Sequence, residues 1–151
     1  ENAIIQEGRF SKDLDDQGIT QQWFANDVDD SQWPIIPLGV GWEKTSVGTY
    51  DGLGWYRIRF ARPEGLADDQ ELLLCFGSVD EQAWIWLNGE KFGEHTEAST
   101  GRTFGKLWNE SFSVKFPASQ LKANNILTVR VHDSGYQGGI YKLVTLMSVT
   151  P

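Results

Sequence analysis

The stretch VDEQAWIWLNG, residues 79–89, sets the interpretation of the whole chain. Its dipeptide Asn88-Gly89 favours a two-residue hairpin, because a type I′ turn needs positive φ at both central residues. The preceding run AWIWL, residues 83–87, is short, apolar and typical of a strand. Alternate side chains of that run can face a core, which leaves Trp84 and Trp86 together on the opposite face. The stretch therefore predicts an antiparallel sheet whose second face is either buried or built for stacking.

Composition narrows the class of protein. The chain has 151 residues, which suits a single domain spanning residues 1–151, and it begins at Glu1, as a mature or excised fragment would. A formal charge of −8 argues against nucleic acid and anionic membrane surfaces as partners. No stretch is long and apolar enough for a membrane span. Seven tryptophans and sixteen glycines favour an all-β domain with many turns.

Strand signals recur along the chain, whereas helical periodicity is almost absent. Eight or so short strands separated by turns predict a β-sandwich or jelly roll. The predicted strands cover residues 19–24, 55–60, 71–76, 83–87, 91–93, 111–116, 126–132 and 143–149. Residues 29–54, rich in Gly, Pro and Trp, predict a long ordered loop packed over one end of the sandwich. A short helical turn is expected after Pro117.

The strand alternation predicts an unusual outer face of the sheet. If the predicted strands share one sheet, that face carries three Trp, three Arg and one His. These residues are Trp55, Trp84, Trp86, Arg57, Arg59, Arg130 and His132. Because Arg and Trp stack well, the face can be a self-satisfied Arg–Trp lattice. The alternative interpretation is a platform for a flat ligand, with Trp84, Trp86, Arg57 and Arg130 as its contacts.

A series of short motifs, in order, resembles a known family. They are Trp33-Pro34, Trp42-Glu43, residues 50–57, 76–80, 86–89 and 93–95, Phe104, Asn125, residues 127–131, Asp133 and residues 138–140. Together they resemble the N-terminal, galactose-binding-like jelly-roll domain of glycoside hydrolase family 2 enzymes. Similar domains occur in agarase-type and β-galactosidase-like enzymes and in sialate O-acetylesterases. The resemblance extends from about Trp23 to Leu146.

The resemblance implies an all-β jelly-roll sandwich of about eight antiparallel strands with long ordered loops. It also implies a non-catalytic role, because the acid/base and nucleophile carboxylates of such enzymes lie in a separate barrel. The expected partners are therefore a polysaccharide or oligosaccharide and the catalytic domain of a parent glycosidase. We expect the parent enzyme to be secreted or periplasmic.

The residues themselves give little support for catalysis. Adjacent carboxylates such as Asp68-Asp69 are typical of solvated turns, and Asp80 is expected to accept backbone amides in its turn. Cys75 lies in an apolar run, as a buried inert thiol would. The chain has two histidines without metal-ligand spacing and no G-x-S-x-G motif, which argues against zinc and against a serine triad. No organic cofactor is expected, but acidic turns such as residues 13–16 are compatible with a structural calcium ion.

Sugar recognition needs flat apolar surface and polar groups for vicinal hydroxyls. Three sets of loop residues meet this need. The first contains Trp42-Glu43 and Tyr50-Asp51, the second His95, Arg102 and Trp108, and the third Asp133, Tyr136 and Gln137. The resemblance places the third set near the substrate in parent enzymes.

We therefore expect a non-catalytic carbohydrate-binding module of a polysaccharide-degrading enzyme, which holds a neutral glycan by aromatic stacking and hydrogen bonds. One alternative is a structural accessory domain that packs on a glycosidase barrel and has no ligand of its own. Another is an enzyme fragment with esterase or lyase activity.

Overall fold

The computed structural model describes residues 3–108, 110–135, 138–142 and 144–149, with the backbone alone at residues 3, 4, 104 and 105. Within these ranges the chain forms ten strands. They are β1 Ala3–Ile5, β2 Glu7–Lys12, β3 Ile35–Pro37, β4 Gly52–Ala61, β5 Glu71–Phe76, β6 Gln82–Leu87, β7 Glu90–His95, β8 Phe112–Pro117, β9 Asn124–Asp133 and β10 Val144–Ser148. Two four-residue helices, α1 (Glu97–Thr100) and α2 (Phe104–Leu107), lie between β7 and β8.

The strands form two antiparallel sheets that face each other. One sheet has the order β1-β10-β5-β8, and the other has the order β3-β2-β4-β9-β6-β7. Strands β4 and β9 pair over ten residues at the centre of the six-stranded sheet. This arrangement confirms the predicted all-β sandwich. None of the helices in the described ranges is long and apolar enough to cross a membrane.

The core fills the space between the two inner faces and follows the predicted alternation. Tyr56 and Ile58 of β4 are fully buried, as are Val129 and Val131 of β9. From the four-stranded sheet, Leu72, Leu74, Phe76, Phe116, Val144 and Leu146 point toward them. Side chains of alternate residues lie on one face of a strand, so each of these strands has one buried and one outer row.

The Asn88-Gly89 hairpin is confirmed. Asn88 has φ 50° and Gly89 has φ 88°, and the turn joins β6 to β7 as predicted. The Asn88 side chain fixes the turn on the neighbouring strand β9, because its Oδ1 accepts from the Ile126 N–H at 3.0 Å. Its Nδ2 donates to Asn125 Oδ1 at 2.9 Å.

Strands β1, β2 and β3 lie outside the predicted set. In β2 the inward residues are Gly8 and Phe10, and a Cβ at Gly8 would lie 2.7 Å from Ile58 Cγ1. The core therefore demands glycine at a position where a strand pattern normally shows a large apolar residue. β3 is only three residues long and adds an edge strand within the predicted 29–54 loop.

The predicted strand at residues 19–24 is wrong, because this segment forms consecutive turns. The carboxylate of Asp13 accepts hydrogen bonds from the N–H groups of Gln17 and Gly18, at 2.8 and 2.9 Å, and from Trp55 Nε1 at 2.9 Å. These bonds commit the backbone to a turn and anchor it on β4. Residues 13–34, the covering loop, lie across the outer face of the six-stranded sheet.

Candidate functional site

Several loops meet at the end of the sandwich where β9 stops at Asp133 and β6 begins at Gln82. We call the described residues within 38–51, 77–81, 96–111 and 134–142 the loop end; residues 109, 136 and 137 are not included. Backbone hydrogen bonds tie these loops together. Trp42 N–H donates to Gly138 O at 3.0 Å, and Asp80 N–H donates to Gly139 O at 2.9 Å. The loop end is therefore an ordered surface and not a set of independent turns.

Trp42 is the anchor of the loop end. Its indole is fully buried and its Nε1 donates to Tyr50 O at 2.8 Å. The rings of Trp42 and Tyr50 lie 5.6 Å apart, and the Tyr50 hydroxyl donates to Leu53 O at 2.6 Å. Of this first predicted ligand set, Trp42 acts in packing, Glu43 and Tyr50 are half-buried, and Asp51 is exposed.

Glycine is required where the backbone crosses the Trp42 indole. A Cβ at Gly138 would overlap the indole ring, whereas a Cβ at Gly135 would meet nothing within 4 Å. We expect Gly138→Ala to lower the free energy of unfolding by about 1–3 kcal/mol, since an overpacked core must shift its side chains. Chemical denaturation followed by circular dichroism measures the effect. The matched variant Gly135→Ala should change stability little, and equal losses in both variants would contradict this packing argument.

Three buried carboxylates lie below these loops and form the acidic cluster, Asp80, Glu81 and Asp133. Their exposed fractions are 6%, 7% and 0%. One carboxylate oxygen from each lies within 4.8 Å of the others. Asp133 is also within that distance of Glu43 and Asp51, so it joins two groups of acidic side chains.

Hydrogen bonds satisfy only part of the acidic cluster. Glu81 accepts from Ser134 N–H at 2.8 Å and from Ser134 Oγ at 2.5 Å. Asp133 Oδ1 accepts from Gly135 N–H at 3.0 Å. Among the described residues, however, Asp133 Oδ2 and Asp80 Oδ2 have no hydrogen-bond donor. Within the described residues no backbone amide is seen to donate to Asp80, and its carboxyl group contacts that of Asp133.

The electrostatics of the acidic cluster follow from burial and like charge. Burial is the main cause that raises the pKa of Asp133, and its contact with Asp80 raises it further. Burial likewise raises the pKa of Asp80, with Glu81, Glu43 and Asp51 adding to the increase. Two buried carboxyls in contact resist double ionisation, so the pair holds a proton unless another positive charge is supplied.

Trp108 is the exposed aromatic residue of the loop end. Its side chain is 48% exposed, and its ring stacks on Tyr141 with centroids 6.5 Å apart and planes 26° apart. The Tyr141 hydroxyl donates to the Trp108 carbonyl oxygen. Burial is the main cause that raises the pKa of the Tyr141 phenol, and the negative charge of Asp80 raises it further. Tyr141 therefore lies within electrostatic range of Asp80 in the acidic cluster.

The second predicted set is only partly assembled. Arg102 pairs with Glu110, whose Oε1 lies 3.4 Å from His95 Nε2. The His95 ring is 8% exposed and stacks on Phe112 at 4.4 Å. Burial, then the charge of Arg102, lowers the pKa of His95 and favours neutral imidazole. His95 and Arg102 thus meet through Glu110, whereas Trp108 contacts Tyr141.

In the third predicted set, Asp133 is fully buried and belongs to the acidic cluster. Tyr136 and Gln137 lie outside the described residues. Neither Tyr141 nor Ser134 is among the predicted site residues. The sequence indicated them only by position, since Ser134 follows Asp133 directly and Tyr141 lies four residues after Gln137.

The alternative face is largely covered. Trp86 is 5% exposed and lies between Phe24 and Trp55, with ring centroids 5.1 and 5.2 Å away. Arg57 is fully buried. Arg130 lies 4.4 Å above the Trp84 ring. This is the packed Arg–Trp arrangement, in which Trp84 keeps partial exposure.

The fold and its loop end define a class, the two-sheet antiparallel β-sandwich domains that occur within large glycosidases. A family model described as the beta-galactosidase second all-beta domain matches residues 20–137. Since the match covers more than half of the chain, the chain belongs to this family. The resemblance to an all-β domain associated with glycoside hydrolase family 2 is therefore confirmed.

Solved β-glucuronidases contain a similar sandwich. The enzyme from an uncultured Clostridium species matches with a TM-score of 0.76 and 22% identity, over 99% of this chain and 29% of that chain. The Ruminococcus gnavus enzyme matches with a TM-score of 0.78 and 13% identity, over 99% of this chain and 29% of that chain. The Bacteroides uniformis enzyme matches with a TM-score of 0.73 and 25% identity, over 99% of this chain and 18% of that chain. The chain thus spans less than a third of the length of these enzymes.

Proposed function

We propose that this chain is a non-catalytic domain of a secreted or periplasmic polysaccharide-degrading enzyme, and that its loop end binds a neutral glycan. The observation that carries the proposal is the exposed Trp108, stacked on Tyr141 beside the acidic cluster. Ligand sites of this kind combine apolar surface with a few convergent polar groups. The indole would contact the C–H face of a pyranose, and nearby polar side chains would bond its hydroxyls.

The carboxylates support binding better than glycoside cleavage. A glycosidase places two carboxyl groups about 5–9.5 Å apart on opposite sides of the scissile bond. In the acidic cluster the carboxylate oxygens lie within 4.8 Å of one another, and all three residues are buried. Such groups lack the space for a sugar between them. This geometry supports a non-catalytic role for the acidic cluster.

Charge favours a neutral ligand. The chain carries a net charge of −8, and the loop end contributes Glu43 and Asp51, which lie near Asp133 of the acidic cluster. A uronic acid would bring its own carboxylate toward these groups and would be repelled. The matched family is named for β-galactosidase, and a galactoside is neutral. The names of the solved β-glucuronidases refer to glucuronides, which are negatively charged, so a glucuronic acid polymer is the informative comparison.

Affinity electrophoresis against a panel of galactan, glucan, mannan, xylan and a glucuronic acid polymer tests the proposal. We expect retardation by at least one neutral polymer. Trp108→Ala should weaken that binding about tenfold or more, since truncation of a central Trp commonly costs more than 1 kcal/mol. The control is Trp84→Ala, which removes a partly exposed Trp outside the loop end and should leave binding unchanged.

Other outcomes would redirect the assignment. If Trp84→Ala weakens binding and Trp108→Ala does not, the ligand lies on the outer face of the six-stranded sheet. Preference for the glucuronic acid polymer would contradict the charge argument. Hydrolysis of any glycan or ester by the chain would contradict the non-catalytic role.

The second candidate is a structural accessory domain, and one feature favours it. A shallow groove of about 740 Å³ runs along the outer face of the four-stranded sheet. Half-buried Cys75, Thr145 and Met147 line it, together with Tyr141. A catalytic domain packed there would remove this apolar surface from water. Silence across the whole polysaccharide panel would favour this candidate over glycan binding.

A further inference from the structure

The acidic cluster brings three buried carboxylates together, and the ion-pair contact that it makes within the described residues joins Glu81 Oε2 to His132 Nδ1 at 3.8 Å. We propose that Asp80, Glu81 and Asp133 together bind one calcium-like divalent cation through their carboxylates. This site is independent of glycan binding, because all three side chains are more than nine-tenths buried. It would link the turn before β6 to the end of β9.

The distances fit a single ion. Calcium bonds to oxygen at about 2.3–2.6 Å, so two ligand atoms on opposite sides of the ion lie about 4.6–5.2 Å apart. One carboxylate oxygen from each of Asp80, Glu81 and Asp133 lies within 4.8 Å of the other two. Each pair of these oxygens therefore lies within the span of a single calcium coordination sphere.

The unsatisfied atoms point to the missing charge. Asp80 Oδ2 and Asp133 Oδ2 are buried, and neither has a hydrogen-bond donor within the described ranges. Burial of an unpaired carboxylate is costly, so buried carboxylates in proteins are paired or coordinate a metal. The charged groups that act on Asp80 are Glu81, Glu43 and Asp51, which are all acidic. A divalent cation supplies the opposite charge at the point where the free oxygens meet.

The surrounding hydrogen bonds orient the carboxylates as ligands. Ser134 holds both oxygens of Glu81, and Gly135 N–H holds Asp133 Oδ1. These bonds leave Asp133 Oδ2 directed toward the acidic cluster and fix its position, as outer-shell partners do at metal sites. The side-chain ligand atoms of the acidic cluster are all oxygens, which suit calcium or magnesium better than zinc. Calcium accepts more oxygen ligands in a more flexible geometry, so it suits a cluster of protein carboxylates better than magnesium, which demands near-ideal octahedral geometry and keeps several waters.

Thermal unfolding of the whole chain tests the proposal. The protein is dialysed against a chelator at pH 7 and then scanned by calorimetry with chelator, with 1 mM CaCl₂ or with 1 mM MgCl₂. For a dissociation constant near 10 µM, we expect calcium to raise the unfolding midpoint by about 5 °C, and magnesium by less. Isothermal titration with CaCl₂ alone should give one site per chain.

Variants locate the ion. Asp133→Asn keeps the size of the side chain and should abolish the calcium-induced shift. Asp80→Asn serves as a second variant if the first does not fold. The control Asp69→Asn changes an exposed carboxylate in another turn and should keep the full shift.

Two results would overturn the proposal. An unchanged calcium shift in both Asp133→Asn and Asp80→Asn would place the ion elsewhere. The absence of any shift in the wild-type chain, with a higher midpoint for Asp133→Asn in chelator, would show that Asp80 and Asp133 share a proton in place of a metal ion.

Discussion

Replacement of Asp30 with asparagine should lower the free energy of unfolding by about 3–5 kcal/mol, because it leaves a buried arginine without its counter-ion. The Arg57 side chain is fully buried, and its Nε lies 2.7 Å from Asp30 Oδ2. Arg59 adds two hydrogen bonds to the same carboxylate, at 2.8 and 2.9 Å. Arg57 Nη1 also donates to the carbonyls of Trp23 and Ala25, at 2.8 and 2.9 Å. The variant should therefore also loosen the covering loop.

Urea unfolding followed by circular dichroism measures this loss. Asp29→Asn is the matched control, because Asp29 is the adjacent residue and is exposed. Its side chain accepts the Ser31 N–H at 3.0 Å, and its loss should cost only a small part of the Asp30 effect. Similar losses in the two variants would mean that the Arg57 ion pair contributes little beyond the local turn.

The same ion pair predicts a pH dependence. Burial raises the pKa of Asp30, but hydrogen bonds and charge from Arg59 and Arg57 outweigh it, so the pKa falls below its usual 3.8. A carboxyl group with a lowered folded-state pKa stabilises the fold above its unfolded-state pKa and loses that contribution as pH falls through the folded-state value. The stability difference between wild type and Asp30→Asn should be constant near neutrality and shrink below about pH 4. A difference that grows on acidification would contradict the assignment.

Trp86→Ala should have an effect of similar size, a loss of about 3–5 kcal/mol, which is usual for the deletion of a large buried aromatic side chain. Trp86 is 5% exposed and lies between the rings of Phe24 and Trp55. The Phe24 contact is nearly parallel, with an interplanar angle of 9°. Removal of the indole leaves a cavity between β6 and the covering loop. Equilibrium unfolding in urea measures the loss.

Trp84→Ala is the control for this prediction, since Trp84 is the neighbouring outward residue on the same strand. Its ring is partly exposed and lies under Arg130. We expect a loss of about 1 kcal/mol, the size of a cation–π contact together with partial burial. An equal cost for both tryptophans would argue that the covering loop gives Trp86 no special environment.

The sequence could predict those parts of the fold in which local chemistry and burial agree. The alternation in residues 55–60 and 126–132 matches β4 and β9, and Asn88-Gly89 forms the expected hairpin. β2 escaped prediction because its inward Gly8 faces Ile58 at too short a distance for a side chain. The apolar residues of segment 19–24 suggested a strand, but the Asp13 carboxylate binds its backbone in a turn.

The candidate site was predictable only in outline. The resemblance pointed to the loop after Asp133, and Trp108 was singled out among loop aromatics; both lie at the loop end. The buried state of Trp42 and His95 was not visible in sequence, because it depends on Gly138 and Phe112 from distant segments. The acidic cluster was missed for the same reason. Asp80 lies in the turn before β6 and Asp133 is the last residue of β9, so only the register of β6 on β9 brings them into contact.

The covering loop also determines what the chain reports spectroscopically. Five of the seven tryptophans, Trp23, Trp33, Trp55, Trp84 and Trp86, lie on the face that it covers. The rings of Trp33, Trp23, Trp55 and Trp86 touch in series, so excitation passes readily among these four. Intrinsic fluorescence is therefore mainly a readout of whether the covering loop is seated, and the two indoles of the loop end contribute a minority of the signal. A flat emission titration with a glycan would leave the loop end untested, whereas a large spectral change on mild denaturation would mark release of the covering loop before the sandwich opens.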